Sequence, residues 1–247
     1  MQEMFCFQCQ QTAHNTGCNG KAGVCGKKAD TANYQDELLG ALVGLARAVQ
    51  AGTATERTDE LMLKGLFTTI TNVNFNNETI LQIKNEIEKE KAAVSPAHYD
   101  DYDMAGLWRA EEDVRSLKSL ILFGLKGMAA YAYHARVLGR TDPAVNRWFY
   151  EALAAIGEEK NTDELLQLVL KTGEVNLACM ALLDAANTET YGDPVPTTVP
   201  LTIEKGPFIV VSGHDLHDLQ LLLEQTAGKG INIYTHSEML PAHGYPE

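Results

Sequence analysis

Four of the five cysteines lie within the first 25 residues, and they limit what this chain can fold into more than any other feature. They are Cys6, Cys9, Cys18 and Cys25, with the spacing C-x2-C-x8-C-x6-C, while Cys179 lies far downstream. Two cysteines separated by two residues can bind one metal centre from a tight loop, and the glycines that follow allow the chain to curl back. This pattern is typical of a ligand cluster rather than of disulfides spread through a fold.

The spacing is compatible with two kinds of metal site. Four thiolates can hold an iron–sulfur cubane, whose negative charge is stabilised by the backbone N–H groups around it. A zinc site is the alternative, but zinc sites usually contain two short cysteine pairs and only the first pair is short here. Two disulfides in a secreted protein would also fit the number of cysteines, although the helix-rich remainder of the chain does not need disulfides for stability. The spacing favours iron–sulfur and leaves zinc open.

Composition argues against several classes of partner. The formal net charge is -13, from 33 acidic and 20 basic side chains, so the surface should repel phosphate backbones and anionic membranes. No run of eighteen apolar residues occurs, and the N-terminus lacks the basic, apolar and small-residue regions of a secretory leader. We therefore expect a cytoplasmic protein that binds neither nucleic acid nor a membrane.

Helical periodicity dominates the chain after the cysteine-rich segment, residues 1–29. Apolar residues recur three and four positions apart, as in Leu38, Leu42 and Leu45. A loop-like stretch separates a first set of three helices, within residues 30–94, from a second set, within residues 106–190. The wide apolar faces predict two three-helix bundles. The predicted helices cover residues 30–52, 56–75, 78–93, 113–138, 143–156 and 162–186.

The apolar period changes after a proline-rich linker, residues 191–206. The linker contains GDPVPTTVP, in which three prolines in nine residues exclude a helix. Beyond it, two short apolar runs typical of strands enclose an amphipathic helix. Residues 207–247 are thus predicted to begin a parallel, Rossmann-like α/β domain. Because a β-α-β unit leaves both faces of its strands poorly covered, we expect the rest of the sheet to come from a partner or from a continuation of this polypeptide.

Two potential metal ligands follow the predicted strands. His214 comes after the first strand and Glu238 comes after the second. Since the carboxyl ends of parallel strands meet at one edge of a sheet, these side chains could enter one crevice and bind one iron. The residues alone also allow a simpler interpretation, in which His214 only makes a hydrogen bond at the start of the following helix.

Three separated segments resemble the hybrid cluster proteins, which are also called hydroxylamine reductases. The segments are FCFQCQ at the N-terminus, DVRSLKSLILFGLKGMAAYAYHA at residues 113–135, and the pair SGHDL and YTHSEMLPAHGYP near the C-terminus. The resemblance extends along the chain in the same order, and it indicates the N-terminal portion of such a protein. A relative of this domain also occurs in nickel carbon monoxide dehydrogenases, but their cysteine patterns differ.

The resemblance implies two metal clusters. The N-terminal cysteines of the family hold a cubane, and the compact spacing here is similar to its [4Fe–4S] form. The histidine and glutamate of the terminal motifs ligate a hybrid [4Fe–2O–2S]-type cluster at which substrate is reduced, and they match His214 and Glu238. Further cysteines and another glutamate complete that cluster from the C-terminal half of the family, and this chain contains none of them. The implied cubane ligands are Cys6, Cys9, Cys18 and Cys25.

The resemblance also implies an activity, the reduction of hydroxylamine to ammonia, with nitric oxide as a second candidate substrate and a role under nitrosative stress. A redox donor protein would feed the cubane, His214 and Glu238 would be catalytic, and the C-terminal half would be required, so this chain alone should be inactive. Two alternatives remain: a single-cluster electron-transfer module that needs a partner chain, and a zinc-stabilised helical interaction protein.

Other residues are weaker candidates. His236 and His243 could donate protons or orient the predicted glutamate ligand. His14 lies inside the cysteine loop and should shape the loop rather than bind metal. Cys179 lies within a predicted helix and should be a small buried apolar residue. The small residues of KGMAAYA, residues 126–132, should allow close helix packing.

Overall fold

The computed structural model describes residues 4–9, 12–70 and 73–246, and it shows a mainly helical chain with a two-stranded parallel sheet near the C-terminus. This coarse architecture confirms the sequence-based expectation. The predicted features at residues 1–3, 10–11, 71–72 and 247 lie outside the described residues. In the described ranges the elements are α1 Ala29–Ala51, α2 Glu56–Thr68, α3 Asn77–Val94, α4 Met104–Trp108, α5 Glu112–Val137, α6 Pro143–Ile156, α7 Thr162–Tyr191, β1 Phe208–Ser212, α8 Leu216–Thr226 and β2 Asn232–His236.

Helix α2 ends earlier than the sequence predicts. The apolar pattern continues to residue 75, but the helix ends at Thr68, and the Thr69 backbone N–H bonds to the carbonyl groups of Leu66 and Phe67. The Thr69 hydroxyl also donates to the Leu66 carbonyl oxygen at 2.7 Å. These local bonds satisfy the last carbonyl groups of the helix and replace a further turn.

Two short helices lie in segments without a detectable period. Helix α4 begins after Asp103, whose side chain accepts a hydrogen bond from the Ala105 N–H at 3.0 Å, and it buries Met104, Leu107 and Trp108. A 3-10 helix, Ser237–Gly244, follows β2. Elements this short do not repeat an apolar position often enough to be recognised from the sequence.

The first compact unit includes the described residues up to Tyr133, together with Asp142–Met180. Helix α1 is its central element and packs against α2, α3, α4 and α6. Gly40 permits one of these contacts, because a Cβ there would overlap the carbonyl oxygen of Tyr102, whose N–H donates to the Gly40 carbonyl at 3.1 Å. One buried apolar cluster draws residues from helices α1 to α7, so the division into two separate three-helix bundles is not confirmed.

The second compact unit comprises His134–Thr141 and the residues from Ala181 onward. Strands β1 and β2 are parallel, with Phe208 opposite Asn232 and Ser212 opposite His236, and α8 connects them. Residues 192–207 contain neither helix nor strand. This β-α-β order is the predicted one, and two strands alone do not establish a Rossmann-like domain.

Helix α7 is the one helix in the described part of the chain that is long and apolar enough to cross a membrane. The criterion concerns only length and composition, and core helices of soluble proteins also meet it. Polar residues divide the helix into short apolar segments, and its longest uninterrupted apolar run is residues 177–183.

Candidate metal centre

The four predicted cysteine ligands line one small cavity in the first unit. Cys6 and Cys18 exchange two backbone hydrogen bonds, of 3.0 and 2.8 Å, which hold the two ends of the first loop together. Gly26 then closes a tight turn by donating to the Gly23 carbonyl at 2.9 Å, and its φ of +86° favours glycine. The cavity is lined by Met4, Cys6, Cys9, Thr12, Cys18, Gly23, Val24, Cys25 and Lys27.

Hydrogen-bond donors surround the Cys18 sulfur. Burial acts to raise the pKa of this thiol, but hydrogen bonds from the backbone N–H groups of Val24 and Ala13 and from the Thr12 hydroxyl outweigh it and lower the pKa. Thr12 Oγ1 lies 3.8 Å from Cys18 Sγ and donates to the Cys6 carbonyl at 3.1 Å. The loop thus stabilises a thiolate, which is the form that binds metal.

Burial raises the pKa of the Cys6 thiol, while the charge of Lys27 and the backbone N–H of Gln8 oppose that rise. All five cysteines are free thiols. In the described ranges, no group of three or more His, Cys, Asp or Glu side chains is arranged to hold a single metal ion. A four-iron cluster bound by four thiolates and surrounded by N–H donors fits this donor set.

A network of buried polar side chains lies against the cysteine loop. Lys126 on α5 donates to the Gln8 side chain and to the Thr69 carbonyl at 3.3 Å. Gln8 donates in turn to Asp36 on α1, and the Trp108 indole N–H donates to the same carboxyl at 3.4 Å. Sequence reasoning missed this network, because residues 126–132 suggested only close helix packing through their small side chains. The one signal in the sequence that could have indicated this network is a lysine at a core-facing position of a helix.

Burial lowers the pKa of Lys126 to about 7, and the charge of Lys27 acts in the same direction, whereas Asp36, Cys6 and Cys9 oppose the change. Lys27 is also buried, and it donates to the Gln35 side chain. Two buried lysine amino groups therefore approach the cysteine loop.

The second predicted site lies in the second unit, at the carboxyl ends of β1 and β2. Here His214 Nε2 and Glu238 Oε2 are 4.0 Å apart, and their side chains are 52% and 71% exposed. Ser237 precedes the glutamate with a φ of +56°, an uncommon backbone conformation for a residue other than glycine. The structure thus brings the two predicted ligands together, with space on their exposed side for further groups.

His134 joins this second site, although neither spacing nor periodicity in the sequence points to it. Its ring lies edge-on to the His214 ring, with centroids 5.3 Å apart, and its Nδ1 is 3.2 Å from Asp215 Oδ2. A hydrogen bond from His134 lowers the pKa of the Asp215 carboxyl despite its burial. Asp215 also caps α8, by accepting from the Asp218 N–H at 3.1 Å.

The weaker candidates have other partners in the structure. His236 Nδ1 lies 3.1 Å from Ser212 Oγ, and His243 Nε2 lies 2.6 Å from Thr235 Oγ1. The His14 side chain is exposed on a short 3-10 turn. Cys179 is fully buried, which raises its pKa to about 12, and its Sγ lies 3.4 Å from the Met128 carbonyl oxygen.

Comparison with known proteins identifies the family from which this architecture comes. Residues 4–247 match the Prismane/CO dehydrogenase family. The chain belongs to this family. The match covers both the cysteine loop and the strand-end pair, and it confirms the resemblance drawn from the three motifs.

Several curated proteins are closely similar to this chain in sequence. A hydroxylamine reductase from Solidesulfovibrio magneticus is 50% identical over 273 aligned positions, which cover 99% of this chain and 51% of the relative. The hydroxylamine reductase of Methanocella arvoryzae is 46% identical, with 99% and 51% covered, and that of Syntrophobacter fumaroxidans is 48% identical, with 98% and 51% covered. The chain therefore spans about half the length of these relatives.

Proposed function

We propose that this chain is the N-terminal portion of a cytoplasmic hydroxylamine reductase, in which Cys6, Cys9, Cys18 and Cys25 hold a [4Fe–4S] cubane that relays electrons. The observation that carries the proposal is the single cavity lined by all four cysteines, in a member of the Prismane/CO dehydrogenase family. When bound, such a cluster would supply one-electron transfer at a potential set by its surroundings. A redox donor protein would be the source of these electrons.

The residues of the loop would keep the sulfur atoms ready to bind iron. Thr12, Ala13 and Val24 donate hydrogen bonds that favour the Cys18 thiolate. Lys27 lines the same cavity and places a positive charge beside it. These donors would offset the negative charge that four thiolates bring together.

His214 and Glu238 would be two ligands of a second, hybrid [4Fe–2O–2S]-type cluster. An imidazole nitrogen and a carboxylate oxygen are suitable ligands for iron, and their separation of 4.0 Å allows both to face one metal. Two donors do not complete a site, so the remaining ligands would come from the C-terminal half found in the longer relatives. In that half, the two strands would continue into a larger, Rossmann-like parallel sheet.

The proposed reaction at the second site takes two electrons and two protons per hydroxylamine, breaks the N–O bond, and releases ammonia and water. Nitric oxide is a second candidate substrate, and turnover of either would protect against nitrosative stress. A bound metal there would act as a Lewis acid on the N–O bond. His236 and His243 are placed within the same strand-end region and could supply protons.

A single-cluster electron-transfer module is the second candidate function. It is favoured by one observation: the cysteine cavity lies within the first unit and includes all four predicted ligands, whereas the strand-end site holds only two. Such a chain would depend on a partner polypeptide for chemistry.

Metal analysis after anaerobic purification tests the cubane. We expect about four irons and four sulfides per chain, loss of both in Cys18→Ser, and full retention in the matched control Cys179→Ala, because Cys179 lies away from the cavity. Zinc without sulfide in the wild-type chain would contradict the proposal and support the zinc-stabilised alternative.

The reductase assignment needs the protein at the full length of its relatives. There, Glu238→Ala should abolish hydroxylamine reduction and leave the spectrum of the cubane intact. Retained turnover would remove Glu238 from the mechanism. Iron well above four per chain in the longer protein, but not in this one, would distinguish a two-cluster reductase from a single-cluster module.

A further inference from the structure

Lys126 is a charged residue in the core of the first unit, and the proposed electron relay gives it no role. It lies on α5 and is only 4% exposed. An ammonium group in such a place is costly unless negative charge and hydrogen-bond acceptors surround it. Its acceptors are the Gln8 side chain and the Thr69 carbonyl.

The position of Gln8 makes this contact specific to the cysteine loop. Gln8 lies between Cys6 and Cys9 in the chain, and its own side chain is buried. Its amide N–H donates to Asp36 while its carbonyl oxygen accepts from Lys126. The side chain is thus fixed from both sides, by α1 and by α5.

We propose that Lys126 is a buried counter-charge for the cluster held by the cysteine loop, and that it raises the reduction potential of this cluster. The inference rests on the proposed function, because it requires an iron–sulfur cluster at these cysteines. Lys126 is a positioning residue as well, since its hydrogen bond to Gln8 restrains the segment between the first two ligands.

The sign of the effect follows from the charge of the cluster. A four-thiolate cluster is anionic, and reduction adds one more negative charge. A cation in a low-dielectric interior favours the more negative state more strongly than it would in water. The ammonium of Lys126 already favours the thiolate form of Cys6, so a cluster bound there would be easier to reduce.

Asp36 is the opposing charge in the same network. Its carboxyl accepts hydrogen bonds from Gln8 and Trp108, and its negative charge interacts with the amino group of Lys126. Removing its charge should therefore shift the potential in the opposite direction from removing that of Lys126.

A redox titration of the loaded chain, followed by optical or paramagnetic resonance spectroscopy, tests the inference. In Lys126→Gln we expect a lower midpoint potential. At the potential where the wild-type cluster is half reduced, the ratio of oxidised to reduced cluster in the variant should be at least tenfold higher, which equals a shift of about 59 mV for one electron. In Asp36→Asn the midpoint should move upward. An unchanged midpoint in Lys126→Gln would overturn the inference.

Lys118 offers a matched control on the same helix. It is 7% exposed, and its ammonium donates to the carbonyl groups of Ile156 and Glu158 at 2.8 and 2.7 Å, so it is buried without contacting the cysteine loop. Lys118→Gln should change thermal stability and leave the midpoint potential unchanged. An equal shift of the midpoint potential in Lys118→Gln and Lys126→Gln would mean that any buried lysine on α5 affects the potential. That result would overturn a specific role for Lys126.

Two further outcomes are also informative. If Lys126→Gln binds no cluster, Lys126→Arg is the second test. A cluster that is retained near the wild-type potential in Lys126→Arg would support the need for a positive charge at this position. Loss of the cluster in Lys126→Arg would overturn the inference and show that the lysine serves packing. Absence of iron and sulfide from the wild-type chain would instead contradict the proposed function, so the two failures are distinguishable.

Discussion

At the scale of single residues, the cysteine loop is held by groups that the loop does not itself contain. Gln8 faces Asp36 on α1 and Lys126 on α5, while Lys27 is fixed by Gln35 of α1. Each of these side chains is polar and largely removed from water, which proteins tolerate only when every group has a partner. The first unit is therefore built around the polar surroundings of its cysteines as well as around an apolar core.

The potential of the cluster should depend on pH through Asp36. Desolvation raises the pKa of this carboxyl to about 6, although Lys126, Trp108, Gln8 and Lys27 all act to lower it. Below that pH the carboxyl is neutral, and above it a negative charge disfavours reduction, so the midpoint potential should fall as pH rises through about 6. Lys126, with a pKa of about 7, loses its positive charge as pH rises further and should continue the fall. The slope cannot exceed about 59 mV per pH unit, the limit for one proton per electron.

Redox titrations between pH 5 and 8 check this dependence. Asp36→Asn should show a flatter profile than the wild type, since the amide does not ionise, while its hydrogen-bond partners can remain. Equal slopes for the two proteins would show that another group causes the dependence.

Sequence reasoning identified some residues of the two candidate sites and missed others. Cysteine spacing is local, so Cys6 to Cys25 could be assigned to one centre from the sequence, and the structure places all four around one cavity. His214 and Glu238 followed from strand ends and from the resemblance. Lys126 and His134 did not, because their role depends on which residues of distant elements face them, and no period or spacing encodes that.

At the scale of elements, the helices are defined by their caps as much as by their apolar faces. Asn76 begins α3 by accepting hydrogen bonds from the backbone N–H groups of Glu78 and Thr79, at 2.9 and 3.2 Å. These bonds satisfy two donors that a helix start leaves without a partner. The same helix contacts α1 and α2, so fraying at its start would loosen the first unit.

Asn76→Ala should lower the free energy of unfolding by about 1 kcal/mol, the usual cost of losing a side-chain cap. Asn85→Ala is the matched control, because Asn85 is exposed within the same helix and alanine is the better helix former there. Denaturant unfolding followed by circular dichroism measures both. A loss of equal size in the two variants would contradict a capping role for Asn76.

The type and order of the long elements could be predicted from the sequence, because an apolar residue every three or four positions specifies a helix wherever the pattern is long. The end of α2 could not, because local bonds at Thr69 stop the helix while the pattern continues. Helix α4 was missed because five residues contain little more than one turn. The two separate bundles remain an interpretation, since one core cluster spans helices α1 to α7.

At the scale of the whole molecule, this chain exposes several large apolar side chains along one helix. Helix α7 carries a stripe of exposed side chains, among them Leu166, Leu170, Leu177 and Met180. Leucines 166, 170 and 177 recur at four and seven positions, so they lie on one face of the helix. The chain spans about half the length of the relatives it matches.

The chain by itself should therefore associate through the leucine stripe of α7. Leu170 and Leu177 are 60% and 69% exposed, and their burial against a second copy would remove this apolar surface from water. The double variant Leu170→Glu with Leu177→Glu should be more monomeric than the wild type, as measured by sedimentation velocity over a range of concentrations. Gln167→Glu with Ala178→Glu adds the same charge at exposed positions of the same helix and keeps both leucines, so it should associate like the wild type. A monomeric wild-type chain, or equal effects of the two double variants, would show that the stripe does not drive association.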